Sequence, residues 1–128
     1  MIIAIDFDGT IVENKFPSIG ALKPHAKEVI NHLHDRLGAK IIIWTCRTLR
    51  PELNAATDFL KKNGIRYDAI NVNYFIPFPN HPKVYADIYI DDRQAGGLPN
   101  DWHDILKLIE PQMQYIKKET ENGNQYKH

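Results

Sequence analysis

Four aspartates follow apolar runs of the sequence. Asp6 and Asp8 come after the run IIAI at the start of the chain, and Asp91 and Asp92 come after the run ADIYI much later. Because successive side chains of a strand point to opposite faces, Asp6 and Asp8 are expected to share a face while Phe7 points back. Like charges that lie close together repel unless a cation or a shared proton relieves them. The spacing therefore predicts a site that takes a positive partner.

The elements that must position these acids alternate along the chain. Apolar runs bounded by turn residues predict buried strands at 2–5, 40–45, 69–72 and 86–90. Apolar residues at three- and four-residue spacing predict helices that begin near Pro24, near Pro51 and near Asn100 or Asp101. Pro111 is predicted to kink or restart the last helix, because proline lacks the amide proton that a helix interior uses.

Strands that alternate with helices are typical of an α/β fold. Near-continuous apolar strands favour a parallel sheet that is covered on both faces, so we predict a Rossmann-like parallel sheet with helices on both faces. Residues 11–23 and 73–82 lack a clear period and hold prolines, and they are expected to be loops. The sequence predicts one domain over residues 1–118, followed by a polar tail, 119–128, that frays.

Charge and cysteine content limit which partners and which cellular compartment the sequence favours. The chain has 128 residues, of which 16 are basic and 16 acidic, so its formal net charge is zero. This balance argues against a large electrostatic footprint for nucleic acid or membrane, although it does not exclude nucleic acid. A single cysteine, Cys46, permits no internal disulfide and favours a reducing compartment. Since no signal peptide or membrane span is visible, we expect a cytoplasmic protein.

The carboxyl ends of parallel strands meet at one edge of a sheet, and open α/β sheets bind ligands there. Besides the four aspartates, this edge is expected to receive Thr45 and Arg47, which follow the second strand, and Lys83, which precedes the last strand. Oxygen-only ligands select a hard cation such as Mg²⁺, which usually shares its coordination shell with a substrate phosphate. A hydroxyl and a cation beside such an ion are typical of phosphoryl transfer.

These motifs resemble those of the haloacid dehalogenase superfamily, whose members are mostly Mg²⁺-dependent phosphatases. IDFDGT is similar to the first motif, IIIWT to the second, and Lys83 with YIDD to the third and fourth, over roughly residues 1–110. Many members carry a sizeable cap domain, whereas residues 11–23 and 73–82 of this sequence hold only loops. The chain thus resembles a small capless member. Its open site suits a large substrate, or a homo-oligomer in which a neighbouring subunit supplies a lid.

The resemblance implies a role for each matching residue. Asp6 would be the nucleophile that accepts the phosphoryl group as an aspartyl phosphate. Asp8 would protonate the leaving oxygen, then activate the hydrolytic water, and its backbone carbonyl would also bind the metal. Thr45 would hold the phosphoryl oxygens, and Lys83 would neutralise charge near the nucleophile.

The implied metal ligands are Asp6, Asp8 and Asp91, with Asp92 supporting them. Arg47 is a further candidate for contact with substrate, on residue type and place alone. The expected function is a Mg²⁺-dependent phosphatase that hydrolyses a phosphate monoester. Two alternatives stay open: a catalytically silent module that binds phosphate or metal on the same fold, and a signalling receiver domain, against which the order of the acids along the chain speaks.

Overall fold

The computed structural model describes residues 1–77 and 82–121. Short strands form one sheet, and they are β1 (Ile2–Ile5), β2 (Lys40–Ile43), β3 (Ala69–Ile70) and β4 (Ile88–Ile90). The strand order is β3-β2-β1-β4, and each neighbouring pair is parallel. The predicted Rossmann-like α/β fold with a parallel sheet is confirmed.

Helices follow β1, β2 and β4 in the described part of the chain. They are α1 (Ala26–Asn31), which continues as a π-helical segment (His32–Arg36), α2 (Arg50–Lys62) and α3 (Trp102–Glu121). Pro51 lies in the first turn of α2, where the missing amide proton costs nothing. Asp101 precedes α3, and its Oδ1 accepts a hydrogen bond from the backbone N–H of His103 at 2.8 Å. The predicted helix starts agree with the structure.

The last helix differs from the prediction at two points. It continues through Pro111 without a restart, while the predicted kink there stays a prediction, and residues 119–121, predicted as the beginning of a frayed tail, are its last residues. Trp102 and Ile109 are buried before the proline, and Met113 packs against the core after it. This packing on both sides offsets the hydrogen bond that the proline cannot make. The rest of the predicted tail, 122–128, lies outside the described residues.

The two faces of the sheet are covered differently. Ile3 and Ile5 of β1 pack in the cluster that includes the buried residues of α1, α2 and α3. Ile2 and Ala4 point to the opposite face and pack in a second cluster with residues between β3 and β4, such as Val84. In the described residues the second face is therefore covered by irregular chain, and the prediction of helices on both faces is corrected to helices on one.

Crossover handedness explains this arrangement. The chain steps from β1 to β2 to β3 in one direction across the sheet, and right-handed crossovers then place α1 and α2 on the same face. The step from β3 to β4 returns in the other direction, so its connection must cross the other face. That connection is rich in proline and forms no helix in its described residues. The reversal makes the carboxyl ends of β1 and β4 a topological switch point, where open sheets bind ligands.

Residues 11–23, here called the flap, fold back on themselves. The backbone N–H of Glu13 donates to the carbonyl of Ala21 at 2.8 Å, and the N–H of Lys23 donates to the carbonyl of Ile11 at 2.9 Å. Ile11 is fully buried, so the flap is anchored in the core at its base. No large cap domain is present in residues 1–77 and 82–121, and none of the helices there has the length and apolar character that a membrane crossing requires.

Candidate functional site

Three carboxylates meet where β1 and β4 end. Asp6 follows β1, Asp91 and Asp92 follow β4, and one oxygen of each lies within 4.8 Å of the others. Strand pairing causes this, because Ile5 is aligned with Ile90 and the N–H of Asp6 donates to the Ile90 carbonyl at 3.0 Å. The sheet therefore brings together the acids that the sequence places far apart.

The carboxyl group of Asp6 has an unusual acidity. Burial, repulsion by the Asp91 charge and a hydrogen bond with Asp92 raise the pKa of Asp6 from 3.8 to about 7, although a hydrogen bond from Thr10 lowers it. Like charges that are crowded in this way are relieved by a proton or by a cation. Since all the nearby ligand atoms are oxygens, the donor set fits a hard ion such as Mg²⁺.

Thr10 connects two of these acids. Its Oγ1 lies 3.1 Å from Asp6 Oδ2 and 3.2 Å from Asp92 Oδ1, and it accepts a hydrogen bond from the Asp92 N–H at 3.0 Å. The carbonyl of Thr10 accepts a hydrogen bond from Trp102 Nε1 at 3.0 Å, which ties the site to the first turn of α3. Thr10 is not among the predicted site residues, although its place in the DGT sequence directly after Asp8 was the available signal.

Gly9 is required by the close approach of Asp92. The backbone of Gly9 has a φ of 87°, and a Cβ atom there would lie 2.5 Å from Asp92 Oδ2. A side chain at this position would therefore collide with the carboxylate as well as strain the backbone. Asp92, predicted as a supporting residue, rests against a glycine that leaves room for it.

The Asp8 carboxylate is not part of this three-carboxylate cluster. It forms a bidentate ion pair with Arg47, in which Nε donates to Oδ2 at 2.7 Å and an Nη2 hydrogen is donated to Oδ1 at 2.8 Å. Such paired, charge-assisted hydrogen bonds fix both the position and the orientation of the carboxylate. The predicted contribution of the Asp8 carbonyl to metal binding stays a prediction.

Arg47 lies inside the protein, with a side chain that is 0% exposed. Its remaining N–H groups donate, at 3.0 to 3.1 Å, to the backbone carbonyls of Pro17, Ser18 and Glu52. All five guanidinium donors are thus engaged within the protein. No donor of Arg47 is therefore left for the predicted contact with substrate, and its two hydrogen bonds to Asp8 hold that carboxylate in place.

Thr45 lies at the same edge of the sheet, just beyond β2. The N–H of Trp44 donates to the Ile5 carbonyl at 2.8 Å, so the chain leaves β2 beside the end of β1. The Thr45 N–H donates to Asn71 Oδ1 at 2.8 Å, and Thr45 Oγ1 accepts from the Arg47 N–H at 3.1 Å. Among the described residues, no acceptor takes the hydroxyl proton of Thr45, which suits the predicted contact with a ligand.

Lys83 contacts an aromatic ring of the last strand. Its Nζ is 4.8 Å from the centre of the Tyr89 ring, and Tyr89 packs on the face of the sheet that the β3–β4 connection covers. No ion pair joins Lys83 to an acid in the described part of the chain. The predicted role of Lys83 in neutralising charge near Asp6 stays a prediction.

Comparison with known proteins gives one informative match. No protein-family model matches the chain, and no curated protein does. Among solved structures, the chain is similar to a conserved protein from Bacteroides thetaiotaomicron, with 37% sequence identity and a TM-score of 0.76. The alignment covers 87% of this chain and 90% of that protein. The chain belongs to the same family. The TM-score shows that the two proteins share the fold described above.

Proposed function

We propose that this protein is a Mg²⁺-dependent phosphatase, which hydrolyses a phosphate monoester through an aspartyl-phosphate intermediate. The observation that carries the proposal is the cluster of Asp6, Asp91 and Asp92 at the switch point of the sheet. The raised pKa of Asp6 supports it, because it arises from burial and from the neighbouring negative charges, whose repulsion a bound cation relieves. The resemblance of the motifs to the haloacid dehalogenase superfamily supplies the reaction class.

The residues divide the work as follows. Asp6, Asp91 and Asp92 would hold Mg²⁺, and the ion would reduce the repulsion between the phosphate and the attacking carboxylate. An oxygen of Asp6 attacks phosphorus, the bond from phosphorus to the ester oxygen breaks, and the leaving oxygen takes a proton from Asp8. Asp8 then takes a proton from the water that attacks the aspartyl phosphate, which releases phosphate and restores Asp6. Two easier displacements thus replace one difficult one.

Arg47 orients Asp8 for proton transfer and still leaves lone pairs on its carboxylate oxygens. Each carboxylate oxygen has two lone pairs, and the bidentate pair uses one lone pair on each oxygen. A second lone pair on each oxygen is left to carry the transferred proton. The buried guanidinium therefore fixes the direction in which Asp8 gives and takes it.

The first test is independent of substrate. Beryllium fluoride mimics a phosphoryl group on aspartate, and a ligand that binds only the folded state raises the melting temperature. With Mg²⁺ and beryllium fluoride, native protein is expected to gain several degrees and Asp6→Asn none. Asp58→Asn, which changes an exposed acid on α2, is the matched control and should behave as native protein. An equal gain in Asp6→Asn would refute Asp6 as the nucleophile.

A catalytically silent module that binds phosphate or metal is the second candidate. The contacts of Lys83 favour it, because no ion pair joins this lysine to Asp6 in the described residues, and attack by a carboxylate on an anionic phosphate needs more neutralising charge than binding of a metal ion does. A panel of phosphate esters separates the two candidates once the beryllium fluoride response is known. Stabilisation without phosphate release would support the silent module, whereas turnover that Asp6→Asn abolishes would exclude it.

A further inference from the structure

A second group of metal-ligating side chains lies away from the carboxylate cluster. His25 and Glu28, at the start of α1, and His103, in the first turn of α3, each have a ligand atom within 4.8 Å of the other two. All three residues are exposed. Because two segments far apart in sequence supply the ligands, an ion bound here would join α1 to α3.

The spacing between His103 and Glu28 is already close to that of two zinc ligands. His103 Nε2 lies 3.1 Å from Glu28 Oε2. In a tetrahedral site with metal bonds of about 2.0–2.1 Å, neighbouring ligand atoms lie about 3.3 Å apart. The distance between these two atoms therefore needs to change by only a few tenths of an ångström for both to bind one ion.

Asp101 orients His25. Its Oδ1 lies 3.0 Å from His25 Nδ1, and because a carboxylate only accepts, Nδ1 carries the hydrogen and Nε2 is left as the ligand atom. A carboxylate behind a histidine is the usual arrangement around zinc ligands.

The two imidazole rings are stacked, with centroids 3.8 Å apart and an angle of 12° between their planes. The lone pair of a ligating nitrogen lies in the plane of its ring, so one ion cannot lie in both of these parallel planes. Binding must therefore turn one ring out of the stack. The side chains of His25 and His103 are 45% and 46% exposed, so solvent leaves room for the turn.

We propose that His25, Glu28 and His103 form a structural site for a zinc-type divalent transition metal ion. Imidazole together with carboxylate suits zinc, whereas Mg²⁺ prefers oxygen alone. His103 is next to Trp102, whose indole holds the carbonyl of Thr10. An ion at this site would stabilise the turn of α3 that supports Thr10. The proposed metal site does not depend on the proposed hydrolysis.

The test is calorimetric titration of Zn²⁺ into untagged protein in excess Mg²⁺. Native protein is expected to bind one equivalent, and His103→Ala and Glu28→Gln each to bind about tenfold or more weakly. His32→Ala, a change of an exposed histidine outside the site, is the matched control and should bind as native protein. Asp91→Asn should also keep its equivalent of zinc, which distinguishes this site from the carboxylate cluster.

Two results would overturn the proposal: no binding by native protein, or equal affinity in native protein and the two site variants. Glu28→Gln changes an exposed side chain and keeps the test valid if His103→Ala fails to fold. Nitrogen chemical shifts of the histidine rings provide a second readout. Zn²⁺ should shift the ring nitrogens of His25 and His103 and leave those of His32 unchanged.

Discussion

Arg47 and Asp8 form a bidentate ion pair, with Nε 2.7 Å from Oδ2 and Nη2 2.8 Å from Oδ1. The pair joins the end of β1 to the chain that follows β2. Because the guanidinium is also bonded to carbonyls of the flap and of α2, one side chain connects three segments around the proposed site.

Replacing Arg47 is expected to be costly. Arg47→Met leaves the Asp8 charge and three carbonyls without their donors, so the free energy of unfolding should fall by about 3–5 kcal/mol. The free energy of unfolding should fall less in Arg47→Lys, because lysine keeps the positive charge but cannot form the bidentate pair. Urea denaturation measures both. Arg50→Met, at an exposed position, should change stability by about 0.5 kcal/mol or less, and a similar loss there would contradict this explanation.

Gly9 and Gly96 form a matched pair for testing the contact with Asp92. Their φ angles are 87° and 86°, but a Cβ at Gly96 would meet nothing within 4 Å. Both alanine variants bear the cost of the left-handed backbone, of order 1 kcal/mol. Gly9→Ala should lose further stability and also the melting shift with Mg²⁺ and beryllium fluoride, whereas Gly96→Ala should keep that shift. Equal behaviour of the two variants would show that the collision with Asp92 is unimportant.

Metal-free protein should become less stable as pH rises. The pKa of Asp6 is about 7 in the folded state and 3.8 in its ordinary state, so the folded state holds the proton more tightly. Protonated Asp6 therefore contributes its full stabilisation of the folded state below about pH 4, and this contribution is lost as pH rises through about 7. Melting temperatures between about pH 5 and about pH 8 should therefore fall in native protein and fall less in Asp6→Asn.

His34 also makes stability fall as pH rises, so a variant of His34 serves as the control. Its hydrogen bond to Asp35, and then that to Asp68, raise the pKa of His34, so its contribution is also lost as pH rises, but above the ordinary value of 6.5. His34→Gln should remove only that part of the slope. Adding Mg²⁺ should restore stability at high pH in His34→Gln but not in Asp6→Asn. Identical slopes in native protein and Asp6→Asn would contradict the raised pKa.

Thr10 should be replaceable by serine but not by valine. Thr10→Val removes the acceptor of the Asp92 N–H and the donor to the acids, and an unsatisfied buried group costs about 1–3 kcal/mol. Thr10→Ser keeps the hydroxyl and should retain the response to Mg²⁺ and beryllium fluoride. Urea denaturation and melting shifts test the two effects separately, and a valine variant that responds like the serine variant would exclude a role for the hydroxyl.

Local patterns predicted the elements and the edge of the sheet at which the acids gather. Ile5 and Ile90 end apolar runs, and parallel pairing brings the residues that follow them together whatever the details of packing. The bidentate pair of Asp8 and Arg47 was not predictable in this way. It depends on the directions of two side chains in the segments that follow β1 and β2, and alternation along one strand cannot predict a contact with another segment.

Two further differences have equally physical causes. The absence of a described helix between β3 and β4 follows from prolines, but the sequence alone did not show which face that connection crosses. Pro111 stays inside α3 because tertiary packing of Trp102, Ile109 and Met113 outweighs the local preference to break. Helix propensity is a property of single residues, whereas α3 is stabilised by the packing of several residues against the core.

The anchoring of the flap has a kinetic consequence. Two of the five hydrogen bonds of Arg47 go to the flap carbonyls of Pro17 and Ser18, and the base of the flap is buried in the core. Swinging this segment over the carboxylates would break those bonds inside the protein. Under the proposed function, the flap therefore stays in place while a substrate enters, and the frequency of productive encounters, without a gating step in the flap, sets the rate of association.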